Sequence, residues 1–155
     1  MAFNPFSPVT GAPVSVLTSP TYTLGADLAP VNTGKQYSVT ALGGTQTGVL
    51  PNSVFVPFTS TMFRPAVLKT LQPINPATGA LRAVPMNDYT LLTRKGVIPL
   101  AGQAAKVMPI RTVLSVPAGA DVADPNSIAA AISLHIGLLY QLADELRKTV
   151  ATGTL

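Results

Sequence analysis

KVMPIRTVLSVP (106–117), AGADVADPNS (118–127) and IAAAISLHIGLLYQLADELRK (128–148) follow one another without a break. The first is β-branched and apolar, with Lys106 and Arg111 set among the apolar residues, and it reads as one long strand. The second is a polar turn. Asp124 is suited to the N-cap of a helix. Pro125 fits the first helical position, because the N–H it lacks has no partner there. The third has few polar positions and reads as a helical region over 124–148. A strand that runs through a capped turn into an apolar helix sets the fold class: α+β, with the helical part at the C-terminal end.

Along that helix Ile128, Ile132, Ile136 and Leu139 form one stripe, and Leu134, Leu138 and Leu142 form another. An apolar surface this wide has to be covered on more than one side. One sheet cannot do that, whereas a second copy of the chain can. Ile128, Ile132, His135, Ile136 and Leu139 are therefore the expected dimer interface. His135 is the only histidine. In an apolar helix with no nucleophile beside it, it reads as an interface residue and not a general base. Gly137 costs about 1 kcal/mol relative to alanine, and marks a close crossing, a bend or a break.

Upstream, the pattern is of strands separated by turns. Residues 1–12 read as an extended arm. PVSVLT (13–18) and TYTLG (21–25) suggest a hairpin turning at Ser19-Pro20, and KQYSVTAL (35–42) a strand ending in a GGTQTG loop (43–48). SVFVPF (53–58), RPAVLKTLQ (64–72) and NDYTLLTRKG (87–96) follow as further strands, and GVIPLAGQAA (96–105) as a loop. No helix interrupts them, so an antiparallel meander over 13–117 is expected, in a single domain spanning 1–155.

Hydrophobic residues make up 47% of the chain and charged residues only 10%, against roughly 25% charged in an average soluble protein. Such a surface is buried against other copies or in a membrane. The apolar run Ile128–Leu139 is broken by Ser133, His135 and Gly137, and is shorter than the ~20 residues a membrane span needs. MAFNPFSPVTG has neither the basic nor the apolar region of a secretory signal. Self-association is the better account, with no membrane partner. The chain has no cysteine, which excludes disulfides, thiolate chemistry and cysteine metal sites.

Formal net charge is +4, unevenly spread. Between Leu28 and Ala120, eight bases (Lys35, Arg64, Lys69, Arg82, Arg94, Lys95, Lys106, Arg111) face one acid, Asp88, a local net charge of about +7. A field of one sign attracts polyanions. No enzyme motif accompanies it. GGTQTG lacks the Gly-Lys-Ser/Thr of a phosphate loop. Asp121 and Asp124 lack calcium-loop spacing, and Asp144 and Glu145, adjacent on a helix, point apart. No catalytic residue, metal, cofactor or small-molecule substrate is expected.

Strand alternation places Thr90, Leu92 and Arg94 on one face, and Val107, Pro109, Arg111 and Val113 on one face. The more apolar faces meet the helices, which leaves Arg94 and Arg111 on the open side, with Lys69 joining them from 64–72. Bases so placed can neutralise phosphates, and threonines beside them can bond bases or sugars.

The ordered set DYTLLTRKG, IRTVLSVPAGAD and DPNSIAAAISLHIGLL, covering 87–139, resembles the coat proteins of single-stranded RNA bacteriophages of the levivirus type. The resemblance implies an N-terminal β-hairpin and a five-stranded antiparallel sheet followed by C-terminal helices, completed as an intertwined homodimer. It further implies dimers built into an icosahedral shell, genomic RNA against the inner sheet face, and a virion capsid assembled in the bacterial cytoplasm. Many members also bind a hairpin of their own genome and repress translation. By strand parity the RNA-contacting positions carry over to Lys69, Thr90, Arg94 and Arg111. Leu92 and Pro109 stand where polar or aromatic residues would be expected, which favours packaging through phosphates. Two other classes fit less well. A tail or pilus subunit would form open filaments and need no RNA. A monomeric nucleic-acid module would present stacking aromatics, and aromatics are only 6% here.

Overall fold

The computed structural model describes residues 3–155; the first two residues of the expected arm lie outside that range. The remainder of the arm lies along the sheet, and it is not wholly irregular as expected: Val9 and Thr10 pair with Tyr22 and Thr21 as the first strand. The Phe3 ring meets Tyr37 edge-on at 5.7 Å, and the Tyr37 hydroxyl donates to Asn4 Oδ1 at 2.9 Å. Six strands follow: β1 (Val9–Thr10), β2 (Thr18–Asp27), β3 (Gly34–Thr45), β4 (Phe58–Phe63), β5 (Met86–Val97) and β6 (Lys106–Pro117). They form one antiparallel sheet whose spatial order is the chain order. The expected α+β class, an antiparallel sheet followed by C-terminal helices, is the observed one, with the hairpin β1–β2 joined to the sheet as the first two of its six strands.

β5 and β6 pair along their whole length, from Met86 opposite Pro117 to Val97 opposite Lys106. The 98–105 connection closes this hairpin, as its glycine and proline content suggests.

Three strand assignments are corrected. The hairpin does not turn at Ser19-Pro20. Those residues lie inside β2, at a register shift between Thr18 and Thr21, with Ser19 at φ 47°. The chain reverses earlier, where Val14 bridges Leu17. Opposite the bulge, Gly43 and Gly44 are part of β3 and not a loop. Gly44 has φ 73°, and a Cβ there would strike the carbonyl oxygens of Thr18 and Ser19. Glycine lets the two backbones meet.

The strand expected over 53–58 begins only at its last residue. Ser53 and Val56 close a turn through two backbone hydrogen bonds, and Phe58 N–H donates to Asn52 Oδ1 at 2.7 Å. Pro57, with no N–H, sits at the junction. Residues 64–72 are not a strand either. Prolines 65, 73, 76 and 85 punctuate the 64–85 connection. Lys69 there bonds the Asn87 side chain: its N–H donates to Oδ1 at 2.9 Å, and its carbonyl accepts from Nδ2 at 3.0 Å.

After β6 the chain turns at Ala118 and Gly119 (φ 83°) into a single helical turn, α1 (Ala120–Ala123). Then α2 (Pro125–Gln141) starts as expected, with Asp124 accepting from Ser127 N–H at 3.2 Å. The Ser127 side chain first, then its N–H, hold the Asp124 carboxyl pKa below its ordinary value. The helical region is split, at Leu142 and not at Gly137: α3 (Ala143–Thr152) departs at 59°. A side chain at Gly137 would meet nothing. No single described helix is long and apolar enough to cross a membrane.

The core is very small. Among the described residues the buried large or aliphatic ones are few, Tyr37, Val39 and Ala118 beside Pro20 and Gly96, and α2 and α3 have none. The chain presents 10849 Å² to solvent, where a folded monomer of 16.0 kDa presents about 7,400 Å² by size scaling.

Candidate nucleic-acid interface

Residues paired across antiparallel strands share a face, so the register sorts the sheet into two chemically distinct sides. On one side, neighbouring rows read Asp27–Gln36–Thr61–Leu92–Arg111 and Gly25–Ser38–Thr59–Arg94–Pro109, with Gly34–Phe63–Thr90–Val113 beside them. The other side carries Tyr37, Phe58, Met62, Leu91, Met108, Ile110 and Leu114. At β6 the second side faces α2. A groove of about 420 Å³ between β6 and that helix is lined by Leu114, Val116, Ile128, Ile132 and His135.

Hydrogen bonds link the polar rows. Gln36 Nε2 donates to Asp27 Oδ2 at 2.8 Å, and Thr61 Oγ1 donates to Gln36 Oε1 at 2.8 Å. Arg94 donates from Nη2 to the same Gln36 Oε1 at 2.9 Å, and from Nε to Thr59 Oγ1 at 3.2 Å. Gln36, Thr59 and Thr61 are buried. Every acceptor that holds Arg94 is neutral. Among the described residues the ion pairs all lie in α3, so no carboxylate is paired with Arg94 or Arg111.

Of the expected RNA-contacting residues, the structure brings Thr90, Arg94 and Arg111 to one face, and it does not place Lys69 with them. Asn87, which holds the Lys69 backbone, has the parity of Tyr89 and Leu91, on the opposite side of β5 from Arg94. Lys95 also belongs to the helix side. Its Nζ donates to the Leu50 carbonyl at 2.7 Å and lies 4.9 Å from the Phe58 ring centroid, and burial lowers its pKa. Gln36, Thr59 and Thr61 belong to this face and are missed by sequence reasoning. For Thr59 and Thr61 the signal is the alternation in FTSTMF (58–63), which a strand placed over 53–58 hides; Gln36 lies within the expected strand 35–42, whose polar positions include it.

Of the expected interface residues, Ile128, Ile132 and His135 line the β6 groove. Ile136 and Leu139 do not, and are 59% and 42% exposed. Leu134, on the other stripe, is 66% exposed. Farther on, α3 is tied to the β1–β2 connection. Asp144 Oδ1 accepts from Ser15 N–H at 3.0 Å and Ser15 Oγ at 2.8 Å, and Asp144 also pairs with Lys148 at 2.9 Å and Arg147 at 3.2 Å. Lys148 first, then Ser15, hold the Asp144 carboxyl well below the usual carboxylate range.

A one-layer sheet with a twelve-residue apolar edge strand, a nearly empty core and helices with bare apolar stripes defines a self-associating structural subunit. Comparison with solved structures identifies the kind. The virus-like particle of bacteriophage ESE020 matches 99% of this chain and 100% of its own, at 47% identity and a TM-score of 0.95. The chain belongs to the bacteriophage capsid protein family, and its work is to assemble into a shell. No protein-family model and no curated protein matches the sequence.

Proposed function

We propose that this capsid protein is the coat of a single-stranded RNA phage of the levivirus type, and that the polar face of its sheet packages the genome. The observation that carries the reading is the pair Arg94 and Arg111, on one threonine-lined face with no carboxylate partner. Unpaired guanidinium groups on a sheet bind phosphates without reading sequence. Thr90 on the same face would add hydrogen bonds to sugars or bases. Binding of a genomic hairpin, with repression of translation, would use this face as well. Leu92 and Pro109, in its centre, favour the phosphate-based reading.

In this proposal the subunits first form homodimers, with β6 edges side by side and helices crossing the partner, and the dimers then close an icosahedral shell in the host cytoplasm. Ile128, Ile132, His135, Ile136 and Leu139 would meet the partner. The exposed area supports this: the excess over a monomer is roughly 3,400 Å² per chain, more than the roughly 1,000–2,500 Å² per partner of an obligate interface.

The test is electron microscopy of recombinant particles with the ultraviolet absorbance ratio read on the same fraction. Closed particles that absorb as nucleoprotein are expected from the wild type. The double variant Arg94→Ala, Arg111→Ala should still form closed particles, with RNA content reduced severalfold. Wild-type RNA content in the double variant would remove both residues from the interface.

A further inference from the structure

A carboxylate paired with an arginine fixes the orientation of the guanidinium and also offsets its charge. Arg94 is held differently. Its Nη2 and Nε donate to Gln36 Oε1 and Thr59 Oγ1, two neutral oxygens, which leaves three of the five N–H donors of a guanidinium without a described protein acceptor. The Gln36 amide is itself pinned. Oε1 also takes the Thr61 hydroxyl, and Nε2 donates to Asp27 Oδ2. Asp27 uses its other oxygen for Leu28 N–H at 2.8 Å. The nearest acid in the row is thus one residue removed from the arginine, and it acts on it only through the amide.

We propose that Gln36, oriented by Asp27, is a positioning residue that aims the Arg94 guanidinium at an RNA phosphate while leaving its positive charge uncompensated. The inference rests on the reading of Arg94 as an RNA contact, and it deepens that reading by naming the side chain that orients the arginine. Amide and carboxylate are almost the same size, so Gln36 supplies the geometry of an ion-pair partner without its charge. Burial of Gln36 and Thr61 keeps water from competing for these bonds.

The amide and the acid can be exchanged. In Asp27→Asn with Gln36→Glu the total charge is unchanged, and each hydrogen bond of the row can be remade, but Arg94 now faces a carboxylate. Binding of polyuridylate to the unassembled protein is measured over a series of salt concentrations, beside Arg94→Ala and Gln36→Met. Each phosphate neutralised on a single strand contributes about 0.7 to the slope of log K against log salt. Arg94→Ala and the exchange variant should each lower the slope by about 0.7, the share of one phosphate that Arg94 no longer neutralises. Gln36→Met, which frees the arginine without discharging it, should keep the wild-type slope and bind severalfold more weakly. A wild-type slope in the exchange variant, beside a lowered one in Arg94→Ala, overturns the role of Gln36 alone. A wild-type slope in Arg94→Ala overturns the RNA contact, and the inference with it.

Discussion

Asp144 joins the two ends of the described chain, since the residue it accepts from, Ser15, is 129 positions away. Its carboxyl pKa is lowered in the folded state, so it stabilises the fold above its ordinary value of about 3.9, and that contribution is lost as pH falls below it. Asp144→Asn should therefore lower the thermal midpoint at pH 7, and the gap from wild type should stay constant to pH 5 and begin to narrow by pH 3, as the carboxyl of the unfolded chain protonates before the native one. Melting both proteins at pH 7, 5 and 3 checks the sign: a gap that widens with acid would mean Asp144 does not hold α3 to the β1–β2 connection. At the candidate interface, parity is enough to unite Arg94 with Arg111, because β5 and β6 alternate without interruption. It fails for Lys69. Alternation in RPAVLKTLQ (64–72) looks like a strand, yet its backbone partner is a side-chain amide, which no pattern of hydrophobicity records.

The elements most legible in the sequence are those whose ends are fixed by local chemistry. β6 ends where the Ala118-Gly119 turn begins, and α2 begins where Asp124 caps and Pro125 follows. The misread ones are governed by pairing between distant segments. Ser19-Pro20 looks like a turn and is a bulge, because Gly44, some twenty-five positions later, allows the opposing backbone close enough. Gly48→Ala, at positive φ but with open space around it, should cost about 1–2 kcal/mol of backbone strain, and Gly44→Ala should cost clearly more, because the clash with the Thr18 and Ser19 carbonyls adds to the same strain. Urea unfolding of the two variants compares them directly, and equal losses would show that backbone strain alone, not crowding by Ser19, sets the cost. The break at Leu142 is not legible either. Gly137 is the weaker helix former, but it sits in open space and α2 runs through it.

For the whole molecule, the decisive quantity is apolar surface without cover. Ile136 and Leu134 are more than half exposed in the single chain, so in a monomer a charge at either would be harmless. In an assembling subunit Ile136→Asp should remove about 1.5–3 kcal/mol of burial per chain and abolish particles. Light scattering and a thermal midpoint that falls on dilution of the wild type, but not of the variant, are the expected signs. Particles of normal size from Ile136→Asp would place the helix on the outside of every contact.

The identity of chain order and strand order in the sheet also bears on timing. Each strand of this meander pairs with the one just made, so a chain growing from the ribosome at about 5–20 residues per second can lay down its sheet vectorially. β6, the apolar edge, is translated last among the strands, and the helices come after it. A nascent chain would thus have five strands paired before it offers the surface that recruits another copy, and neighbouring chains on one polysome would be kept from joining half-made. Chains ending at Val97 should sediment as monomers where the full chain sediments as an assembly, and early oligomers from the shortened chain would refute this order of events.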